Sequence, residues 1–417
     1  MASCSQKTPQ QFNFEPKLEK LGVTAEKLQA VDDVLQKQVD DQKVNCAMGF
    51  VAQHGNVLYN KGFGYKNVEE GTPVSLDDYF MLFSMTKAVT TVAFMTLYEK
   101  GLVDIYAPVS SVFPQIPDTI FDDLAEDGSY VTHPAETPMN FVHLMCHASG
   151  LNAGEIKNIR MENMQKWGQT GALPQNGQHS NEGMMKCDYL AEDMCELATY
   201  PLGFNPGSDF DYHISVNMLA YMLEIISGKT LREYVKETIF EPLGMNDTDW
   251  FFDESAFDRF VKVYRSENGV LTRVPDSYSK MVCGPKQTYC EGALGLNGTM
   301  GDYAKFAQML VNGGEFNGAR ILKKETIDLM TQTNCLPEVN SGGDGFQFGM
   351  GFQLYLNGKN KYNEMMSNSC YRWAGMLGTE FLIDPDNDAI FLYFVNMDSR
   401  PLELYTDWLE EAYKLIN

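Results

Sequence analysis

The sequence lacks any long hydrophobic run and is poor in basic residues. No stretch of eighteen or more apolar residues occurs in its 417 residues, so the sequence predicts no transmembrane helix. It has 32 Lys and Arg side chains against 56 Asp and Glu side chains, for a formal net charge of -24. Because this charge repels phosphate backbones and anionic lipids, it argues against nucleic acid as a partner. The content of 44% hydrophobic residues instead indicates a globular protein.

Two further patterns are missing: the cysteine spacing of zinc sites and the G-x-S-x-G motif. The absence of each argues against one kind of functional site. The nine cysteines form no C-x-x-C pair and no zinc-finger spacing, so we expect no structural zinc. His143, Cys146 and His147 share one predicted helix face in HLMCH, but these three candidate ligands are weak evidence for a metal site. No G-x-S-x-G motif is present, which disfavours a serine hydrolase with a nucleophile elbow.

The amino terminus supports two interpretations. It reads MASCSQKTPQ, in which Ala-Ser-Cys resembles the end of a bacterial lipoprotein signal without its apolar part. Cys4 would then carry a lipid anchor, in the periplasm or at the outer membrane. Alternatively, Cys4 is a chance cysteine in a disordered start, and the protein is cytoplasmic. Both interpretations stay open, as does disulfide pairing, because an odd cysteine count leaves one thiol outside any internal disulfide.

Hydrophobic periodicity places helices and strands at both chain ends. Apolar residues recur at helical spacing from the N-cap Thr24 to Val39. The strand-like CAMGFVAQ and NVLYNKGFGY then flank a His54-Gly55 turn, which predicts a hairpin. From about residue 380, EFLI, the long apolar AIFLYFVNM and a final helix mirror this arrangement. Both chain ends are therefore predicted to contribute strands to a sheet.

The middle of the chain is predominantly helical. Helical patterns cover 86–100, 141–147, 215–227, 230–239, 302–312 and 324–332, whereas Glu155 to Asp193 lacks periodicity and predicts a loop beside a cleft. These patterns predict an α+β fold, in which terminal helices flank an antiparallel sheet beside a mostly helical lobe. We expect a flexible segment over 1–22 and a single two-lobed unit over 23–417. Its α/β lobe spans about 23–80 and 300–417, and its helical lobe about 81–299.

The segment FSMTKAVTTVAFM contains a candidate nucleophile. Ser84 and Lys87 lie three residues apart at the start of an apolar helix, so both side chains share one face. A lysine in a dry site can have a depressed pKa and can activate a neighbouring serine. The same spacing recurs at Ser277 and Lys280, where Gly284 and Pro285 argue against a regular buried helix. The surrounding sequence therefore favours Ser84.

Five segments between residues 80 and 385 stand in a characteristic order: FSMTK, LMCHASGL, PLGFNPGSDFDYHIS, GTMGDYAKFAQMLVNGG and YRWAGMLGTEFLIDP. They resemble landmarks of class C β-lactamase-related proteins, and most closely those of family VIII carboxylesterases and related fungal acyltransferases. The resemblance implies a fold like that of β-lactamases and penicillin-binding proteins. It also implies a catalytic set of Ser84, Lys87 and Tyr212, with Tyr212 as general base. The backbone N–H groups of Ser84 and Met376 would form the oxyanion hole.

The sequence departs from the β-lactamase pattern where an antibiotic would be held. Ile214 replaces an asparagine that contacts the amide side chain of β-lactams, and His213 before it is expected to point elsewhere. Trp373-Ala374-Gly375 replaces Lys-Thr-Gly, so the cation that holds the antibiotic carboxylate is absent. Strand alternation points Arg372 to the opposite face from Trp373, while Gly375 is expected to let the substrate approach closely.

These residues favour a serine carboxylesterase that hydrolyses small esters through an acyl-Ser84 intermediate, with transfer to another alcohol as a variant of the same reaction. This chemistry requires neither a metal nor a cofactor. Trp373, Gly375 and Ile214 would contact the substrate. One alternative is a β-lactamase or D-amino-acid peptidase. Another is a non-catalytic relative that binds peptidoglycan or a small ligand.

Overall fold

The computed structural model describes residues 11–170, 189–284, 288–332, 347–355, 365–398 and 403–416. Its helices are α1 (Ala25–Asp40), α2 (Thr86–Glu99), α3 (Phe141–Met145), α4 (Glu155–Thr170), α5 (Leu190–Leu197), α6 (Ser215–Ser227), α7 (Leu231–Val235), α8 (Glu241–Leu243), α9 (Ser277–Val282), α10 (Met300–Val311), α11 (Lys324–Gln332) and α12 (Glu403–Tyr413). Within the described residues, no helix combines the length and apolar character needed to cross a bilayer.

The strands are β1 (Cys46–Gln53), β2 (Asn56–Asn67), β3 (Thr72–Pro73), β4 (Phe80–Met81), β5 (Thr119–Leu124), β6 (Tyr130–Pro134), β7 (Thr248–Asp249), β8 (Tyr264–Glu267), β9 (Val270–Arg273), β10 (Asn297–Gly298), β11 (Glu315–Phe316), β12 (Ala319–Arg320), β13 (Gln347–Phe348), β14 (Gln353–Leu354), β15 (Tyr371–Ala374), β16 (Glu380–Asp384) and β17 (Ala389–Phe394). Eight of them form the main sheet in the order β13-β14-β15-β16-β17-β1-β2-β3. Its neighbouring strands run antiparallel.

The two chain ends meet in the middle of this sheet. β1 and β2 are joined by His54 and Gly55, whose φ angles of +50° and +72° suit a tight hairpin turn. β17 pairs with β1 in the register Gly49 to Tyr393. A Cβ at Gly49 would lie 2.7 Å from the indole nitrogen of Trp408, so glycine lets α12 pack directly on the strand. The predicted hairpin and the predicted carboxyl-terminal strands and helix are confirmed.

Helices cover both faces of the sheet. On one face α1 and α12 pack through Val31, Leu35 and Trp408 against residues of β1 and β17. On the other face the larger core joins α2 and α10 to Phe50 and Phe394. The side chains of β1 and β17 are buried along their whole length, because the sheet is covered on both faces. The predicted α+β class with flanking terminal helices is confirmed.

One sequence prediction about local structure is wrong. The first half of the predicted loop forms α4, in which Arg160 pairs with Asp193 at 2.7 Å and with Glu196 at 2.7 Å. These buried ion pairs tie α4 to α5, which hydrophobic periodicity could not reveal. The segment around Lys280 forms the six-residue helix α9, which ends before Gly284 and leaves Lys280 exposed, so it differs from the buried helix that follows Ser84.

The predicted flexible segment lies partly within the described residues. There, Leu18–Leu21 forms a single 3-10 turn, and the Phe12 ring lies 5.3 Å from Phe50 and 5.2 Å from Phe316, measured between centroids. Cys4 and its predicted lipid anchor lie outside the described residues. The borders of the two lobes stay a prediction.

Candidate active site

Ser84 lies at the entrance to α2, on the 3-10 turn Phe83–Met85. Two contacts fix the residues before this turn. The Leu82 N–H donates to the Leu296 carbonyl at 3.0 Å, and β4 pairs with β10. Phe83 has a φ of +43°, a left-handed conformation that costs a non-glycine residue free energy. Only 8% of Ser84 is exposed. The fold thus fixes the serine in a nearly enclosed position, directly after a residue with a strained backbone.

Lys87 lies one helical turn beyond Ser84, and its side chain is completely buried. Its Nζ is 3.1 Å from Ser84 Oγ, 2.9 Å from the Ala293 carbonyl oxygen and 3.5 Å from His213 Nδ1. Burial lowers the pKa of Lys87 to about 7, while the charge of Glu291 acts in the opposite direction. An amine with this pKa is partly neutral near pH 7 and can accept a proton.

The chain from Glu291 to Leu296 crosses α2 and fixes the lysine. Thr90 Oγ1 donates to the Gly292 carbonyl at 2.7 Å, and the Leu296 N–H donates to Thr86 Oγ1 at 3.0 Å. A Cβ at Gly292 would lie 2.4 Å from the Ala220 Cβ, so only glycine lets this segment pass between α2 and α6. This close passage brings the Ala293 carbonyl to Lys87.

Tyr212 covers the lysine from the other side. Its ring centroid is 4.6 Å from Lys87 Nζ, and its hydroxyl accepts a hydrogen bond of 2.8 Å from the Trp373 indole N–H. Burial raises the pKa of Tyr212 well above its ordinary value, and hydrogen bonds with Ser84 and Trp373 oppose this only in part. Tyr212 is therefore a neutral phenol near pH 7. The structure brings Ser84, Lys87 and Tyr212 together, although 128 residues separate the first from the last.

Aromatic side chains surround the tyrosine. The Tyr212 ring lies 4.6 Å from His147, 5.2 Å from Trp373, 6.1 Å from Phe348 and 6.4 Å from Phe210, measured between centroids. Trp373 and Phe348 meet edge to face at 4.7 Å, an arrangement that aromatic rings favour. The surroundings of the Tyr212 hydroxyl are thus largely aromatic.

The end of β15 lies against the turn that carries Ser84. A Cβ at Gly375 would be 2.3 Å from Thr379 Oγ1 and 2.5 Å from the Leu82 carbonyl oxygen, so the glycine is required for this packing. Met376 follows and is 56% exposed. The structure gives Gly375 a packing role that the sequence did not indicate. The predicted oxyanion N–H groups and the substrate contact of Gly375 stay predictions.

Arg372 and Trp373 point to opposite sides of the sheet, as predicted. Arg372 pairs with Glu380, and its guanidinium lies 4.9 Å from the Tyr405 ring centroid, under the terminal helix α12. Trp373 is partly buried and faces Tyr212. Arg372 therefore does not replace the missing cation.

The two residues after Tyr212 have different surroundings: His213 faces Lys87, and Ile214 lies in the hydrophobic core. Ile214 is 8% exposed and belongs to the main hydrophobic core at the start of α6, so it offers no polar group, and its substrate contact stays a prediction. The prediction that His213 points elsewhere is wrong, because its Nδ1 lies 3.5 Å from Lys87 Nζ. A φ of +122° at His213 turns the side chain inward, which strand or helix periodicity cannot predict.

Sequence reasoning also missed Glu291 and Asn217. Glu291 is 5% exposed, and burial raises its pKa to about 7. Asn217 Nδ2 donates to Glu291 Oε1 at 3.4 Å, and Asn217 Oδ1 accepts from the Ala293 N–H at 2.8 Å. One available signal was a lone carboxylate in the otherwise small and apolar run CEGALG. In the HLMCH segment His143 serves the fold, since it completes a capping box with Asn140 at the start of α3.

The protein has the fold of β-lactamases and penicillin-binding proteins. In this fold an antiparallel sheet adjoins a helical lobe, and a buried serine and lysine lie beneath a tyrosine. The chain belongs to the Beta-lactamase family, whose model matches residues 31–413.

Comparisons with individual proteins agree with this family. The chain is 28% identical to lovastatin esterase of Penicillium rubens over 315 residues, which are 74% of this chain and 73% of that protein. It is 24% identical to esterase EstB of Burkholderia gladioli over 369 residues, 85% of this chain and 86% of that protein. Its structure is similar to that of EstCE1, described as a hydrolase with promiscuous acyltransferase activity. The TM-score is 0.73 at 20% identity, over 93% of this chain and 99% of that chain. The predicted fold and the predicted resemblance to β-lactamase-related esterases are confirmed.

Proposed function

We propose that this protein is a serine carboxylesterase that hydrolyses small esters through an acyl-Ser84 intermediate. The observation that carries the proposal is the buried Lys87 amine 3.1 Å from Ser84 Oγ. A serine hydroxyl is a weak nucleophile until a base takes its proton, and a lysine with a pKa of about 7 is such a base.

The protonation states refine the roles expected from sequence. Tyr212 was expected to be the general base, but its raised pKa favours the neutral phenol. We therefore assign proton acceptance to Lys87. As Ser84 Oγ bonds to the ester carbonyl carbon, its proton moves to Lys87, and the carbonyl oxygen becomes an oxyanion held by the N–H groups of Ser84 and Met376. When the bond to the alcohol oxygen breaks, that oxygen takes the proton that Lys87 accepted, and the Tyr212 hydroxyl donates a hydrogen bond to it.

The same groups serve the second half of the reaction. Water gives a proton to Lys87 while its oxygen attacks the acyl carbon, and Ser84 Oγ recovers its proton as the acid leaves. A second alcohol in place of water would give acyl transfer instead of hydrolysis. That EstCE1 is described as having both activities supports testing both here.

Two positions support esters over β-lactams as substrates. Trp373 offers an aromatic surface where β-lactamases present a cation, and Arg372 is on the other side of the sheet in a pair with Glu380. Ile214 supplies no hydrogen bond for an acylamino group. The names of the two esterase relatives point in the same direction.

The test is a substrate panel on the wild type and on Ser84→Ala. We expect turnover of p-nitrophenyl acetate and butyrate to exceed that of nitrocefin and of D-alanyl amides, and to fall about 10³-fold or more in Ser84→Ala. Wild-type ester turnover in Ser84→Ala would overturn the proposal. Faster nitrocefin or D-alanyl turnover would favour the β-lactamase or peptidase alternative. Failure of a fluorophosphonate probe to label the wild type would favour a non-catalytic ligand-binding protein.

A further inference from the structure

The surroundings of the Lys87 amine fix the direction of its lone pair. A lysine ammonium has three N–H donors, and within the described residues Nζ has three polar neighbours: Ser84 Oγ, the Ala293 carbonyl and His213 Nδ1. A neutral amine has two N–H donors and one lone pair. The Ala293 carbonyl can only accept. If His213 Nδ1 accepts as well, both N–H bonds are used, and the lone pair faces Ser84.

Glu291 favours the required form of His213. His213 Nε2 lies 3.8 Å from Glu291 Oε1, so the carboxylate stabilises a proton on Nε2 and leaves Nδ1 as the acceptor. The backbone holds the ring in place, because the His213 N–H donates to His147 Nδ1 at 3.2 Å. The conformation at His213, with φ at +122°, is one that side chains rarely adopt. Such a conformation persists where the surroundings enforce it.

Asn217 links the carboxylate to the other fixed acceptor. Its Nδ2 donates to Glu291 Oε1 at 3.4 Å, while its Oδ1 accepts from the N–H of Ala293, the residue whose carbonyl binds Lys87. One side chain on α6 therefore positions both Glu291 and Ala293. The surroundings of the two acceptors of Lys87 are thus linked through Asn217 and Glu291, which are both buried.

We propose that His213 and Glu291 are positioning residues that aim the lone pair of Lys87 at Ser84 and stabilise the ammonium formed when the Ser84 proton arrives. The inference rests on the proposed function and deepens it. The proton leaves Ser84 Oγ and binds Lys87 Nζ, and no other bond changes in this network. The new positive charge then faces the Glu291 carboxylate through the His213 ring.

Other titratable groups near the network do not replace Glu291. His147 is completely buried, and burial, then Lys87, holds its pKa well below the ordinary value, so it is neutral. Tyr212 is a neutral phenol. Asp193 acts on Glu291 from α5, but it pairs with Arg160 at 2.7 Å and accepts from the Tyr289 hydroxyl at 2.7 Å. Among these described groups, Glu291 is the carboxylate that acts on Lys87.

The kinetic test is the pH profile of p-nitrophenyl ester kcat/KM in Glu291→Gln. The charge of Glu291 raises the pKa of Lys87, so its removal shifts the acid limb of the profile to lower pH, by about one unit. The control is Glu224→Gln, which removes a largely buried carboxylate on α6 that accepts from the Leu231 N–H. We expect its acid limb at the wild-type pH. An unmoved acid limb in Glu291→Gln would overturn the inference.

A matched pair tests His213. The Oδ1 of asparagine can occupy the position of the imidazole Nδ1, whereas leucine offers no acceptor. We expect His213→Leu to lower kcat about tenfold with little change in KM, and His213→Asn to restore most of the loss. Equal losses in both variants would indicate a merely structural role and would overturn the assignment.

A measurement without turnover separates this inference from the proposed function. In protein labelled with [ε-¹³C]lysine and carrying Ser84→Ala, the Lys87 signal, assigned by Lys87→Met, reports the Lys87 titration directly. We expect Glu291→Gln to move that titration to lower pH. If Lys87 titrates identically in Ser84→Ala and in Ser84→Ala with Glu291→Gln, the inference is overturned, whatever the enzyme hydrolyses. A displaced titration combined with a lack of ester turnover by the wild type overturns the proposed function instead.

Discussion

The Ser-x-x-Lys spacing occurs twice in this chain, and its two copies differ in their surroundings. Ser84 precedes the 14-residue helix α2, and the Lys87 side chain is completely buried. Ser277 begins the six-residue helix α9, in which Lys280 is exposed. Burial lowers the pKa of Lys87 to about 7. The spacing alone therefore does not make a nucleophile.

The difference comes from residues distant in sequence. Lys87 is enclosed by Tyr212 and His213 before α6 and by Ala293 in the segment that crosses α2. Trp373 on β15 then holds Tyr212. Each contact depends on the fold bringing a different segment to the start of α2. Changing these contacts one at a time tests which of them distinguish Ser84 from Ser277.

The largest expected effect is loss of the buried amine. Lys87→Met removes the base but keeps the length of the side chain, and we expect ester kcat/KM to fall about 10³-fold. Lys280→Met makes the same change at the exposed copy and should leave kcat/KM at the wild-type value. Steady-state kinetics on p-nitrophenyl butyrate check both. Similar losses in the two variants would remove the distinction between the sites.

The next effect is on the pH dependence of the wild type. Lys87 accepts a proton only when neutral, so lowering pH below its pKa of about 7 protonates the base and slows acylation. We expect kcat/KM to fall about tenfold for each pH unit below this value. Stopped-flow acylation rates measured from about pH 5 to about pH 9 check this expectation. A flat profile across pH 7 would contradict a lysine base.

Gly375→Ala tests how β15 supports the Ser84 turn. The added Cβ would lie 2.5 Å from the Leu82 carbonyl oxygen, so the strand or the turn must shift. We expect a loss of about 1–3 kcal/mol in the free energy of unfolding, measured by urea denaturation, and lower ester turnover. The control is Gly301→Ala in α10, where a Cβ meets nothing within 4 Å and alanine favours the helix. Unchanged stability and turnover in Gly375→Ala would show that the contact is unimportant.

The smallest expected effect concerns the hydrogen bond to Tyr212. Trp373→Phe keeps an aromatic ring but removes the N–H that donates to the tyrosine hydroxyl at 2.8 Å. Because one neutral hydrogen bond contributes about 1 kcal/mol, we expect kcat/KM to fall about fivefold. Steady-state ester kinetics measure this loss. A loss as large as that of Lys87→Met would give Trp373 a larger role than holding Tyr212.

Much of the fold could be predicted from local sequence. Alternating and continuous apolar runs predicted the strand pairs around His54 and near the carboxyl terminus, because burial on both faces of a sheet imposes that pattern. The helix α4 was missed, since its buried contacts are the ion pairs of Arg160 and not an apolar stripe. Hydrophobic periodicity does not detect buried ion pairs.

The site could be predicted only where a motif marks it. Ser84, Lys87 and Tyr212 lie in segments that resemble known landmarks, and the structure brings them together. His213 and Glu291 were missed for physical reasons. The direction of His213 depends on an unusual φ, and Glu291 comes near Lys87 only through the passage of Gly292 between two helices. Neither feature has a local sequence pattern.

The most direct test of the account is to identify which serine is acylated. The protein is reacted with a fluorophosphonate probe, and the modified peptide is mapped by mass spectrometry in the wild type, Ser84→Ala and Ser277→Ala. We predict one label on Ser84, present in the wild type and in Ser277→Ala and absent from Ser84→Ala. A label on Ser277, or a label that persists in Ser84→Ala, would contradict the account.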